Sequence, residues 1–453
     1  MDSTVADPGP PHPDVGFPAP QARVGRPRQP RAQFGYRFRR ALPWLVFGLG
    51  FLITTGIGAS IIGLSNGERW GLNPLRSEEL GLDTKTLNDR IYGSPIYWAL
   101  LFLCTLVPIA GAMLAWLTHA SPKAWTASRG VDLGLLRIAR FIYFTGIAWL
   151  LLRVAVLVPE PLQTIQGAWT GTIETHYQVR YLVMSLLTRP EFGLAYTGLL
   201  TLLAIPLYHA LIVFKTKRAW FEVMVWYAAY WVLAVALIQK LLISYSLLMF
   251  GLAILSSGAV GKYWKRLMLV GALFLVLIHT VMSSLVETWS WTSTIDHILG
   301  RSADSYPYAI DAGQQHAFSP GQYLVGSILG GPAFLGQPVN PNTDLYYTMY
   351  PDSDGAVTLA APVWSYYDVG LSGALLTLGL VCGFCGLATW SARFAHPSAA
   401  GWSIYLLMLV QSYHLTQIPI LGILFWSYGI FYGLGAVALA WVAANFSRRQ
   451  RSR

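Results

Sequence analysis

Apolar residues run in blocks of about twenty along most of this chain, and polar residues collect between the blocks. A helix needs about 20 apolar residues to cross the hydrocarbon core of a bilayer. Runs of that kind fall at 41–64, 95–118, 137–158, 192–214, 220–238, 242–260, 267–285, 367–391, 402–418 and 420–444. The pattern predicts an all-α polytopic integral membrane protein with about ten transmembrane helices, in the range nine to twelve. They form one transmembrane domain over 41–444.

The polar stretches differ in kind. Residues 1–40 are rich in Pro and Arg and have no apolar period, which reads as a disordered basic tail. No short apolar core with a small-residue cleavage site precedes the first run, so the segment does not read as a signal peptide. A second basic tail covers 445–453. Between them, 286–366 is a long loop rich in Tyr, Trp, Pro, Gly and Asp. Loops beyond about 12–15 residues without structure of their own are uncommon and often functional. The aromatic content argues against plain disorder.

Composition supports the membrane reading. The 453 residues are 54% hydrophobic and 11% charged, against about 25% charged in soluble domains. A net charge of +10 could indicate a nucleic-acid partner, but its distribution does not. With the N-terminus in the cytoplasm, 22 of the 31 Lys and Arg fall in cytoplasmic segments, together with only five of the 21 acids. Such a bias is the positive-inside signature. It sets both termini inside and 286–366 outside, and removes the case for nucleic acid. The Cys382-Gly-Phe-Cys385 spacing lies in an apolar run without a nearby His and reads as packing rather than redox or metal chemistry. No internal repeat suggests inverted transporter halves.

Nine cations remain that topology does not require. Arg69, Arg76, Lys85 and Arg90 share their loop with several acids and read as surface ion pairs. Arg153 lies inside a span, where a charge marks function unless it reaches the interface. Lys240 tops a tight hairpin, as an interfacial anchor or a ligand contact. Arg180 and Arg189 lie on 175–189, which reads as a helix on the membrane surface contacting head groups or substrate. Arg301 is the single Lys or Arg of an acidic loop. It either pairs with Asp304 or serves as an anion hook, for which the planar guanidinium is suited. His316 follows fifteen positions on, before a Gly-rich run. It is either a structural hydrogen-bonder or a general base, with His297, Asp304 and Tyr308 as rivals. The loop's tyrosines and tryptophans fit an interfacial belt or stacking faces for sugar rings. No metal-ligand spacing and no phosphate-loop glycine motif occurs, so no metal and no cofactor are expected.

Over roughly 220–375 the chain resembles the Wzy-type O-antigen and exopolysaccharide repeat-unit polymerases, within the O-antigen ligase and polymerase superfamily. The resemblance rests on the cation-tipped hairpin at Lys240, the long loop before the last spans, and Arg301 followed by YPYAIDAGQQHAFSPGQYLVG. It also rests on APVWSYYDVGLSGALL, with its Pro and acid-x-Gly-x-x-Gly entry to the next span. Where those polymerases commonly carry Arg at the hairpin, this chain has Lys240. The resemblance implies metal-independent glycosyl transfer at the outer face of the bacterial cytoplasmic membrane. Its donor is a glycan on undecaprenyl diphosphate, and the implied partners are a chain-length regulator and a flippase. Arg301, His316, Asp304 and Tyr308 would then serve catalysis. Arg180, Arg189, Lys240 and Arg153 would bind the diphosphate. An O-antigen-type ligase and a lipid-linked sugar flippase are the alternatives.

This reading makes Arg301 essential. An Arg301→Ala strain is expected to make no long polymer when glycan chain length is scored on gels, and polymer of normal length would remove that residue from the mechanism.

Overall fold

The structure is a computed structural model. It describes residues 30–65, 88–118, 129–258, 260–286, 288–300, 302–315, 358–395, 398–425 and 429–451. Every regular element among them is helical. In chain order these are α1 (Phe34–Leu64), α2 (Pro95–Leu117), α3 (Arg129–Leu157), α4 (Pro161–Thr170), α5 (Ile173–Leu186) and α6 (Arg189–Val213). There follow α7 (Lys217–Ala236), α8 (Lys240–Ser256), α9 (Val260–Leu285), α10 (Trp291–Gly300) and α11 (Ser305–Gln315). The last are α12 (Ala361–Ala395), α13 (Ala399–His414), α14 (Ile420–Phe425) and α15 (Ile430–Arg451). A short π-helical turn, Asn88–Tyr92, precedes α2.

Eight of these helices are long and apolar enough to cross a membrane: α1, α2, α3, α6, α7, α9, α12 and α15. The two other expected spans correspond to α8 and α13, with 17 and 16 residues. At 1.5 Å per residue they are about 24–26 Å long, shorter than a hydrocarbon core of about 30 Å. Helix α13 is almost wholly buried, which lets it carry Gln411, Ser412 and His414 in an apolar bundle. Helix α6 is equally central, with 89% of its apolar window buried. Only 6% of the α9 window is buried, so this helix flanks the bundle rather than joining its core. The run expected over 420–444 is divided into α14 and α15.

Cations mark one end of the bundle. Arg39 Nη1 donates to the Ser256 carbonyl at the end of α8, 3.3 Å away. Arg40 bonds Thr118 at the end of α2, with Nη2 to Oγ1 at 2.7 Å. Arg266 lies over the Trp220 ring at 4.3 Å.

The opposite end carries irregular backbone of several kinds. The loop expected between α9 and α12 holds two helices, α10 and α11, among its described residues. A π-helical turn at Leu52–Gly56 widens α1. There the Thr54 carbonyl accepts from the Ser302 amide at 3.2 Å, which seats the α10–α11 turn against α1. Helix α11 is then fixed by Tyr306, whose hydroxyl donates to the Tyr97 carbonyl at 2.7 Å. Arg90 reaches Asp311 with two parallel bonds of 2.6 and 2.7 Å. The expected pairing of Arg90 within its own loop is thus replaced by one that spans 221 residues. Asp311 is 3% exposed, and a planar fork suits a carboxylate in that position.

The Asp368-x-Gly370-x-x-Gly373 segment folds as a corner inside α12. Gly370 has φ 71° and ψ −159°, where only glycine is unstrained. A Cβ on Gly373 would lie 2.6 Å from the Ser365 carbonyl oxygen, so the two arms meet there. Thr377 Oγ1 donates to Ser365 Oγ at 2.6 Å across the corner. Gly370→Ala should therefore cost about 1–3 kcal/mol of stability. Gly379→Ala, whose added methyl meets nothing within 4 Å, should be neutral or mildly stabilising. Melting of the two purified variants in detergent checks this: equal melting temperatures would show that the corner is not strained.

Candidate functional site

The polar end gathers four short pieces of chain. Helix α5 is capped by Thr172, whose side chain accepts from the Thr175 amide at 3.3 Å. The helix expected over 175–189 is thus α5, ending at Leu186. Its first turn buries His176, which is 1% exposed. The ring packs edge-on against Trp169 at 5.4 Å. Trp169 Nε1 in turn donates to the Val235 carbonyl at 3.1 Å, which ties α4 to the end of α7.

The turn from α7 to α8 is tight and strained. Ile238 has φ 54°, a left-handed conformation that a β-branched residue rarely adopts. The surrounding bonds hold it there: the Ile238 amide donates to Val235 at 3.1 Å and the Gln239 amide to Ala234 at 2.9 Å. The result places Gln239 and Lys240 at the rim of the bundle. Lys240 Nζ lies 3.3 Å from Met282 Sδ. Gln239 is 1% exposed; its oxygen accepts from the Tyr196 hydroxyl, and its Nε2 is buried without a partner.

Arg180 lies one turn beyond His176 on α5, half-buried, with Nε buried and unpartnered. Among the described residues no acid pairs with it. His176 Nδ1 is 3.0 Å from the Ala168 carbonyl. A carbonyl only accepts, so Nδ1 carries the proton and Nε2 presents its lone pair in the neutral ring. That Nε2 is buried and without a partner. Burial holds the imidazole below its ordinary pKa; the bond to Ala168 acts against this, and Lys240 and Arg180 add to it. Two sequence-predicted cations, Arg180 and Lys240, thus both act electrostatically on this histidine. The His176–Arg180 spacing of four was the sequence signal for this, since such residues share a helix face.

Lys240 also stands at one end of a cleft of about 510 Å³ between α8 and α9. Its polar end is bordered by Lys240, Thr54 and Gln417, and its far end by Leu255 and Leu267. The walls between are mostly Leu, Ile, Val and Phe, with Ser244, Tyr245 and Tyr413 among them. The part of α8 from Lys240 to Leu255 is about 22 Å long at 1.5 Å per residue.

The other predicted residues go elsewhere. Arg153 Nε donates to Glu191 Oε1 at 2.8 Å, and Glu191 Oε2 accepts from the Thr188 amide at 2.8 Å. Arg153 is therefore neither a free interfacial cation nor part of the His176 group; it pins the end of α3 to the start of α6. Arg189 is exposed, two residues before Glu191. Asp304 is half-buried, two residues beyond Ser302, whose amide contacts the Thr54 carbonyl at the cleft wall. Tyr308 is buried in a separate cluster with Tyr92, Tyr97 and Tyr306. Arg301 and His316 lie outside the described residues, and the side chain of His297 does also. Among the described residues no three His, Cys, Asp or Glu side chains converge as a metal site. Glu191 carried the local signal of a capping box with Thr188, but nothing local marked its ion pair, whose partner is 38 residues away, and Gln239 had no local signal, its partner being 43 residues away.

Compared with known protein families, characterised proteins and solved structures, the chain matches none.

The Glu191 carboxylate serves as both helix cap and counter-ion, with its partner Arg153 only 29% exposed. Glu191→Ala should lower stability by about 1–3 kcal/mol. An unchanged melting temperature in detergent would show that the pair contributes nothing.

Proposed function

We propose that the protein is a membrane glycosyltransferase that polymerises oligosaccharide repeat units carried on undecaprenyl diphosphate. In this reading it works at the outer face of the bacterial cytoplasmic membrane, in O-antigen, capsule or exopolysaccharide assembly. The observation that carries the reading is the apolar cleft along α8 and α9, ending at Lys240. A lipid diphosphate has this same division, a long apolar tail and a compact anionic head. The tail would lie along the leucine-rich walls, and the exposed α9 would leave the cleft open to lipid on one side.

Diphosphate is the leaving group of such a transfer, so the main need is to stabilise charge as it departs. The acceptor sugar hydroxyl attacks the anomeric carbon, the bond from that carbon to the diphosphate oxygen breaks, and the oxygen takes the electron pair. Arg180 contributes a permanent charge and forked donors; Lys240 contributes a point charge. We assign the proton of the attacking hydroxyl to His316, with Asp304 and Tyr308 as the alternative acceptors, and we assign Arg301 to the same anionic head. The orientation follows the charges: the end with Arg39, Arg40 and Arg266 faces the cytoplasm under the positive-inside rule.

A flippase would need polar groups along its route. The cleft walls are apolar and its cation is at one end, which favours an enzyme.

Deletion of the gene separates the readings by the glycan left behind. Loss of a polymerase leaves single repeat units, loss of a ligase accumulates long lipid-linked chains, and loss of a flippase leaves units on the inner face. The Arg180→Ala and Lys240→Ala variants should each lower polymerisation about 10²-fold, the scale seen when one charge-stabilising donor is removed. Normal chain length in the double variant, at normal protein level, would rule out the proposed site.

A further inference from the structure

The cleft along α8 and α9 is bounded in length and width as well as in chemistry. At its polar rim Lys240 Nζ meets Met282 Sδ at 3.3 Å. Further in, a Cβ added at Gly251 would lie 3.5 Å from Leu267 Cδ1. The two helices therefore run antiparallel, with Lys240 level with Met282. Gly251 lies eleven residues after Lys240, and Gly271 eleven residues before Met282. At 1.5 Å per residue both sit about 16 Å below the rim, and both line the cleft. Bulkier side chains flank them, Leu248 and Leu255 on one wall and Leu267 and Phe274 on the other.

The fold itself does not ask for glycine at either position. Both lie inside helices, where glycine is destabilising relative to alanine. Neither has a positive φ. Neither admits a close-packed neighbour: a Cβ on Gly271 would meet nothing within 4 Å, and one on Gly251 would make only ordinary contact. The two missing side chains leave open space between the walls at one depth.

A volume of about 510 Å³ spread over about 22 Å leaves a lane about 5 Å across, and hydrocarbon chains in contact pack at about 4 Å. There is room for one chain, whereas a phospholipid carries two. An extended chain advances about 1.2 Å per bond, so an isoprene unit of four chain bonds spans about 5 Å. The lane from Lys240 to Leu255 then holds four units. Helix α8 ends at Ser256, so the rest of a longer tail must turn out into the bilayer past the exposed α9. We propose that the cleft takes the four isoprene units next to the diphosphate and no more, and that Gly251 and Gly271 are specificity-determining residues that keep the lane open for the last of them. This rests on the proposed lipid-diphosphate substrate.

The test compares dissociation constants of the full-length wild type and variants in one detergent, so that partition of the tail into micelles cancels in their ratio. The probes are geranyl, geranylgeranyl and hexaprenyl diphosphate, with two, four and six units. In Gly271→Leu the new side chain enters open space and a better helix former replaces glycine, so the fold is kept. Its affinity relative to wild type should be unchanged for geranyl diphosphate, whose tail of about 10 Å stops short of the glycines. It should be about tenfold weaker for geranylgeranyl diphosphate, and no weaker than that for hexaprenyl diphosphate. Gly251→Leu, from the opposite wall, should repeat the pattern. Ala272→Leu, beside Gly271 but not lining the cleft, should bind all three like wild type. The same ratio at every length, or a ratio that climbs again from four units to six, would overturn the proposal and leave the diphosphate reading intact. No wild-type binding of any of the three would instead remove that reading, and this inference with it. A parallel arm uses dioctanoyl and dipalmitoyl phosphatidylglycerol, whose chains match the two- and four-unit tails in length. Gly271→Leu should leave both unchanged, and the same dependence on length would overturn the proposal by assigning the lane to an acyl chain.

Discussion

The backbone must satisfy its own hydrogen bonds wherever lipid surrounds it, and this constraint governs the whole molecule. It explains why the regular elements among the described residues are all helices and why the longest of them are apolar. It also gives meaning to the places where regularity fails. The π-helical turn of α1 releases a carbonyl that Ser302 takes up. The α7–α8 turn holds Ile238 in a left-handed conformation. The corner in α12 depends on Gly370. All three are stabilised by neighbouring protein and lie toward the end where polar side chains collect. Strain of this kind persists only where the surroundings over-determine it.

The charges at that end are of two sorts. Arg90 and Arg153 each reach a carboxylate distant in sequence, the buried Asp311 and the half-buried Glu191. Those pairs join separate helices, and removing one partner would leave the other charge uncompensated. Arg180 and Lys240 instead act on the buried His176, adding to the larger effect of burial in lowering its pKa. A cluster of like charges is unfavourable on its own and becomes favourable when an anion occupies it. Which cations carry a carboxylate partner could not be drawn from the presence of a cation in a loop or span.

The apolar cleft gives that cluster its context. A peripheral α9 stands against α8, and the two enclose a leucine-lined space with Lys240 at its rim. Amphipathic shape and charge position are thus built by the same helix, α8, whose first residue is the cation and whose remaining length is wall. A polyprenyl diphosphate would be read by both at once.

The sequence by itself determined the class of the protein. Apolar runs near twenty residues, together with the uneven spread of Lys and Arg, are local properties that follow directly from the thickness and dielectric of a bilayer. It also marked the α7–α8 hairpin, the glycine corner after Asp368, and the helix carrying Arg180, because turns and helix faces are encoded over a few residues. Only the tertiary structure decided which cations are paired. The partners of Arg90 and Arg153 lie 221 and 38 residues away, and nothing local specifies them. It decided too that α8 and α13 are short inner helices, since burial by neighbours, not composition, relieves a helix of the need to span. And it buried His176, where packing removes water from the imidazole and holds its pKa below the ordinary value, with Lys240 of another helix and Arg180 adding to the shift.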